Sequence, residues 1–173
     1  MITIISGTNR PHSNTLKVAE YYRKELAKKG LETNLLNLES LPATLIDSDL
    51  YGKRSPQFEK IQTLITQTSK FLFIIPEYNG SFPGVLKTFI DACFFPESFY
   101  DKKACLVGVS SGKYGNIRGI DHFNGVCAYL HLNVMPMRIH IANIKTELDE
   151  THYLFKSDTV KFVNEQIEKF MAY

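Results

Sequence analysis

Residues 71–93 read FLFIIPEYNGSFPGVLKTFIDAC, and the changes of character along this stretch decide the fold. Phe71–Ile75 is an unbroken apolar run, as expected of a strand buried on both faces. Pro76–Gly84 follows with two prolines and two glycines, a composition that ends regular structure and fixes turns. Val85–Ala92 then places Leu86, Phe89 and Ile90 on one side, the spacing of an amphipathic helix. A polar loop therefore lies between the carboxyl end of a central strand and the start of a helix. In open parallel sheets that is where ligands bind. With an aromatic ring, an amide and a rigid backbone, it suits a flat polar ring system.

Outward from this stretch the chain alternates strand and helix, with no internal repeat or low-complexity segment. Ile2–Ser6 reads as a first strand. Asn14–Lys29 reads as a helix with Leu16, Ala19, Tyr22 and Leu26 on one stripe, stopped by Gly30. Glu32–Leu38 alternates as a second strand, and 39–55 reads as loop. Phe58, Ile61, Leu64 and Ile65 mark a second helix. Ala104–Ser110 is a fourth strand. Ile120, Phe123, Cys127 and Leu130 mark a helix ending near Asn133. Val134–Ile141 holds a short fifth strand interrupted by Pro136, and Val160, Val163, Ile167 and Phe170 mark a last helix. This alternation predicts one α/β domain over 1–173. It is a doubly wound, five-stranded parallel sheet of order 2-1-3-4-5, with right-handed crossovers and helices on both faces.

Composition narrows the function. The 173 residues are 44% hydrophobic and 22% charged, with a net charge of +2, too little to argue for nucleic acid. No apolar run reaches the ~18 residues that span a membrane. Met1–Ser6 enters a strand with no basic region before it, so no signal peptide is expected. Three cysteines, Cys93, Cys105 and Cys127, form no disulfide framework, and a reducing cytoplasm is expected. The five histidines show no paired metal spacing, so no metal site is expected.

In such a sheet the loops after strands 1, 3 and 4 meet at one rim. The first, Gly7–Thr15, offers hydroxyls, Arg10 and free N–H groups at a helix start, the parts of a phosphate site. Ser13 or Asn14 can also act as a plain N-cap there. The third, Ser110–Asn116, is polar with one aromatic, Tyr114. Sharper motifs fail. Gly108–Lys113 (GVSSGK) is one residue short of a P-loop, with Tyr114 where Ser or Thr belongs, and no G-x-G-x-x-G follows the first strand. There is no G-x-S-x-G elbow, and no catalytic acid, base or nucleophile set. Chemistry is expected to come from a cofactor.

These residues resemble the NAD(P)H-dependent FMN reductases, a flavodoxin-like family that includes quinone and chromate reductases and some azoreductases. Gly7–Thr15 is similar to the family's G-S-x-R-x-x-S-x-N loop, with Thr8 for serine and Thr15 for asparagine. Pro76–Lys87 matches P-E-Y-N-x-S-x-P-G-x-L-K at every fixed position. Ser111–Gly115 stands where a third, glycine-rich loop belongs, with Tyr114 and Asn116 replacing glycines. Ala92 replaces a common tryptophan.

The resemblance implies non-covalent FMN, NAD(P)H as reductant and a small-molecule electron acceptor. Thr8, Arg10, Ser13, Asn14 and Thr15 would bind the phosphate. Pro76, Glu77, Tyr78, Asn79, Gly80 and Ser81 would line the ring, and Ser111 and Gly112 would close its far side. It also implies a homodimer or homotetramer with the helix after the second loop in the interface. The rival readings are a flavodoxin-type carrier without NAD(P)H activity and a flavin-free binding protein with a degenerate site. A carrier is typically acidic, and this chain is slightly basic with Arg10 in its loop.

Overall fold

The computed structural model describes residues 1–173. Its strands are β1 (Ile2–Ser6), β2 (Thr33–Asn37), β3 (Lys70–Pro76), β4 (Lys103–Val109), β5 (Asn133–Val134) and β6 (Ile139–Ile141). All pair in parallel, in the order β2-β1-β3-β4-β5, with β6 also on β4. The expected order 2-1-3-4-5 is therefore the observed one. Its fifth position is filled by two short pieces. Proline has no N–H to give a ladder. Met135 N–H still reaches the Ala104 carbonyl at 2.8 Å, Pro136 breaks the run, and pairing resumes at Ile139 opposite Val107.

The helices are α1 (Asn14–Lys28), α2 (Pro56–Gln67), α3 (Gly84–Ala92), α4 (Ile117–Tyr129) and α5 (Ser157–Ala172). They cover both faces of the sheet, and strand pleating explains how one apolar run serves both. Phe71, Phe73 and Ile75 point into the core under α2, α3 and α4, whereas Leu72 and Ile74 point into the core under α1 and α5. β4 divides the same way, with Ala104 and Leu106 on the first side and Cys105, Val107 and Val109 on the second. On α1 the buried stripe includes Val18, Ala19, Tyr22 and Leu26, while Leu16 is half-buried.

β2 is shorter than the expected 32–38, because Leu38 turns into a 3-10 helix, Leu38–Ser40. A second 3-10 turn, Ala43–Leu45, interrupts the expected loop 39–55. Asp49 in that segment is fully buried. Its carboxylate accepts from Thr44 Oγ1 at 2.8 Å, from Ser55 Oγ at 3.2 Å and from Ser55 N–H, which ties the segment to the N-cap of α2. Burial pulls this carboxyl upward, but the hydrogen bonds from Ser55 and Thr44 outweigh it and hold it below its ordinary value. All three cysteines are free and buried, and burial raises the Cys127 thiol to about 12.

Candidate active site

The first loop is shaped from inside. Thr8 is fully buried, and its Oγ1 shares a 2.7 Å hydrogen bond with the Tyr78 hydroxyl and accepts from Arg10 N–H at 3.2 Å. One hydroxyl thus joins the loop after β1 to the loop after β3. Ser13 caps α1, its Oγ accepting from Leu16 N–H at 3.1 Å. The first N–H groups of a helix have no intrahelical acceptor, so those of Asn14 and Thr15 face the rim with the positive end of the α1 dipole.

The second loop is rigid for a backbone reason. Tyr78 and Ser81 exchange N–H···O bonds of 2.9 and 3.0 Å, closing a turn whose central residues, Asn79 and Gly80, have φ of 50° and 74°. Positive φ at both is the type I′ pattern that Asn-Gly favours. Beside the turn, Ser81 Oγ lies 3.0 Å from His122 Nδ1 of α4. Glu77 N–H donates to the Val109 carbonyl at 2.9 Å, and its carboxylate accepts from Asn116 N–H at 3.2 Å.

The third loop is bonded to its neighbours. Ser110 Oγ donates to the Gly112 carbonyl and accepts from Gly115 N–H, at 2.7 and 2.9 Å. Asn116, buried with a left-handed φ of 63°, donates from Nδ2 to the Ile75 carbonyl at 2.9 Å. Asparagine tolerates that conformation, which is how it stands in for glycine. Tyr114 is 62% exposed at the edge.

These loops enclose a cavity of about 630 Å³. Eleven of the thirteen expected site residues line it: Arg10, Ser13, Asn14 and Thr15 at one end, Pro76–Gly80 along the wall, and Ser111 and Gly112 opposite. Thr8 and Ser81 stand behind the wall, bonded to Tyr78 and His122. Sequence reasoning missed Ile144 and Lys145, which also line the cavity. They follow β6, and their turn is tied down by Asn143 N–H to the Gly112 carbonyl at 2.8 Å and Ile144 N–H to the Ser110 carbonyl at 3.0 Å. The missed signal was positional: a loop after the fifth strand of a parallel sheet opens on the same rim as the others.

Fold and rim together define a class, the doubly wound flavodoxin-like proteins with a polar cavity at the carboxyl ends of the strands. A flavodoxin from Pseudomonas aeruginosa superposes with a TM-score of 0.66 at 16% identity, covering 98% of each chain. Within this class, residues 1–146 match the family model described as NADPH-dependent FMN reductase, and the chain belongs to that family. A 2-hydroxy-1,4-benzoquinone reductase from Burkholderia sp is 27% identical over 99% of this chain and 94% of its own length. An NAD(P)H-dependent FMN reductase from Pseudomonas aeruginosa is 26% identical over 83% of this chain and 78% of its own. The flavoenzyme NAD(P)H:(acceptor) oxidoreductase FerB from Paracoccus denitrificans superposes with a TM-score of 0.81 at 23% identity, covering 99% and 95% of the two chains. The oxidoreductase reading agrees with these relatives; the carrier and the flavin-free binding protein are not favoured by them.

Proposed function

We propose that this chain is an FMN-containing oxidoreductase that takes electrons from NADPH or NADH and passes them to a small quinone, azo or flavin acceptor. The observation that carries this reading is the cavity itself. Its 630 Å³ falls in the size range of cofactor sites, with a helix N-terminus and an arginine at one end and a rigid turn along its wall. That donor set fits a terminal phosphate joined to a flat ring. Arg10, Ser13, Asn14 and Thr15 hold the phosphate. The backbone from Pro76 to Gly80 borders the ring, and Ser111 and Gly112 close the opposite side.

When bound, FMN supplies the hydride-accepting and electron-donating chemistry. The chain supplies binding and orientation. Thr8 positions Tyr78, and through it the two loops are held at a fixed spacing. Asn116 N–H donates to the Glu77 carboxylate, which holds that acid in place in the cavity wall. In the second loop the Glu77, Tyr78 and Ser81 N–H groups already have carbonyl acceptors, and those of Asn79 and Gly80 are the donors left for developing negative charge.

The same reading takes 1–173 as one domain, located in the cytoplasm, with its three thiols free and buried. No helix is long and apolar enough to cross a membrane. It includes a homodimer or homotetramer, supported by Phe94 and Phe95 beside α3, which are 41% and 60% exposed. Arg54 stacks over Phe94, its guanidinium carbon 4.1 Å from the ring centroid, and exposed aromatics beside arginine are common at interfaces. The test is to reconstitute the purified chain with FMN and add NADPH or NADH without oxygen. Bleaching of the bound flavin, followed by reoxidation with a quinone, is the expected result. A flavin that binds but stays oxidised with both nicotinamides would overturn the reading.

A further inference from the structure

The proposed function accounts for the cavity's phosphate end but leaves its other cation without a task. Lys145 lines the same cavity, yet it belongs to the turn Ile144–Thr146 after β6. The neighbouring Ile144 is buried and pinned to Ser110, so the base of the lysine is fixed while its side chain is exposed. No carboxylate pairs with it: the ion pairs of the molecule lie elsewhere. Glu77, the acid in the cavity wall, is already engaged by Asn116 N–H.

Distance separates Lys145 from the phosphate end. The α1 N-terminus follows β1, whereas Lys145 follows β6 on the far side of β4, with β3 and β4 between. At about 4.8 Å per strand step, the two backbones stand roughly 10–15 Å apart. Lys145 therefore stands across the cavity from the phosphate end. Tyr114 lines the same cavity, with a ring 62% exposed, and Lys113 Nζ sits 5.2 Å from that ring's centroid. The rim here combines an open aromatic face with two ammonium groups, the chemistry that receives a flat base carrying phosphate.

We propose that Lys145, which lines the cavity together with Tyr114, recognises the 2′-phosphate of NADPH and so makes this chain prefer NADPH to NADH. This inference rests on the oxidoreductase reading above, since it names the reductant of that site. Lys145 is a specificity-determining residue in it and takes no part in hydride transfer.

The test compares wild-type, Lys145→Gln and Lys145→Arg proteins loaded with FMN. Binding of adenosine 2′,5′-bisphosphate and of 5′-AMP is titrated calorimetrically, and flavin reduction by NADPH and NADH is followed in stopped flow. In Lys145→Gln, affinity for the 2′,5′-bisphosphate is expected to fall about tenfold, with 5′-AMP, NADH reduction and FMN affinity unchanged. Lys145→Arg is expected to retain most of the discrimination. An unchanged ratio of bisphosphate to 5′-AMP affinity overturns the proposal, whatever the turnover. So does an equal loss for both ligands, a weakened FMN affinity, or a shifted flavin potential with the NADPH-to-NADH ratio intact. A wild-type protein that binds the bisphosphate through Lys145 but is reduced by neither nicotinamide would instead refute the oxidoreductase reading alone.

Discussion

Gly108→Ala should damage the proposed cofactor site from inside the sheet. Gly108 lies in β4 between Ile75 and His140 in register. A Cβ built there would stand 2.2 Å from the Gly115 carbonyl oxygen, 3.0 Å from Ile120 Cγ1 and 3.2 Å from Asn116 Cβ. Ordinary contact begins at 3.4 Å, so the Gly115 carbonyl would have to retreat by about 1.2 Å, the difference between 3.4 and 2.2 Å. That carbonyl is backbone, and the next residue is anchored at 3.2 Å to Glu77 and at 2.9 Å to the Ile75 carbonyl. A shift of this size stretches both bonds beyond hydrogen-bond length. Overpacking costs about 1–3 kcal/mol, and two lost bonds add roughly 1 kcal/mol each. The expected loss is therefore about 3–5 kcal/mol, read as a lower urea midpoint at unchanged slope. FMN affinity should fall as well, because the third loop moves. Gly125→Ala is the control: it sits within α4 with nothing within 4 Å of the added carbon, and should gain about 0.5–1 kcal/mol. If Gly108→Ala unfolds within about 0.5 kcal/mol of wild type, the third loop is not clamped against β4 and this account of the site is wrong.

Arg10→Ala should weaken FMN binding by about 1.5–3 kcal/mol, the value of a charge-assisted bond; fluorescence titration of the apoprotein measures it, and unchanged affinity removes Arg10 from the site. Tyr78→Phe loses the bond to Thr8 but no reacting group, so reduction of bound flavin in stopped flow should stay within about tenfold of wild type, or roughly 1.4 kcal/mol of barrier. A thousandfold loss would give the phenol a chemical role. The Asp49 carboxyl is held below its unfolded value, so its contribution is fully present above the ordinary carboxylate range and fades as pH falls through the lower folded value. Asp49→Asn should therefore flatten the acid limb of the stability curve in urea titrations between neutral and acid pH; an unaltered limb would count against the Ser55 and Thr44 bonds as its source. Light scattering at micromolar concentration should show a dimer or tetramer for wild type, and only monomer would refute the assembly built on Phe94 and Phe95.

What the sequence made legible, and what it hid, follows from how each signal arises. The run at 71–75 was readable because a strand buried on both faces has no polar position, and the structure sends its alternate residues into two cores. The second loop was readable because two prolines and two glycines between a strand and a helix end regular structure, while the positive φ at both Asn79 and Gly80 came to light only in the structure. Thr8 and Ser81 carried the same residue types as true lining groups, and only three-dimensional packing turns one toward Tyr78 and the other toward His122. The turn at Ile144–Lys145 carried no motif at all. Its place depends on two backbone bonds to the third loop, and those exist only because β6 resumes beside β4 after Pro136. A local pattern therefore marks residues whose backbone must take an unusual shape, whereas a residue brought to the rim by pairing far along the chain is visible only once the sheet order is known. Lys145 is of the second kind, and for that reason the reductant preference proposed above rests on the topology as much as on its charge.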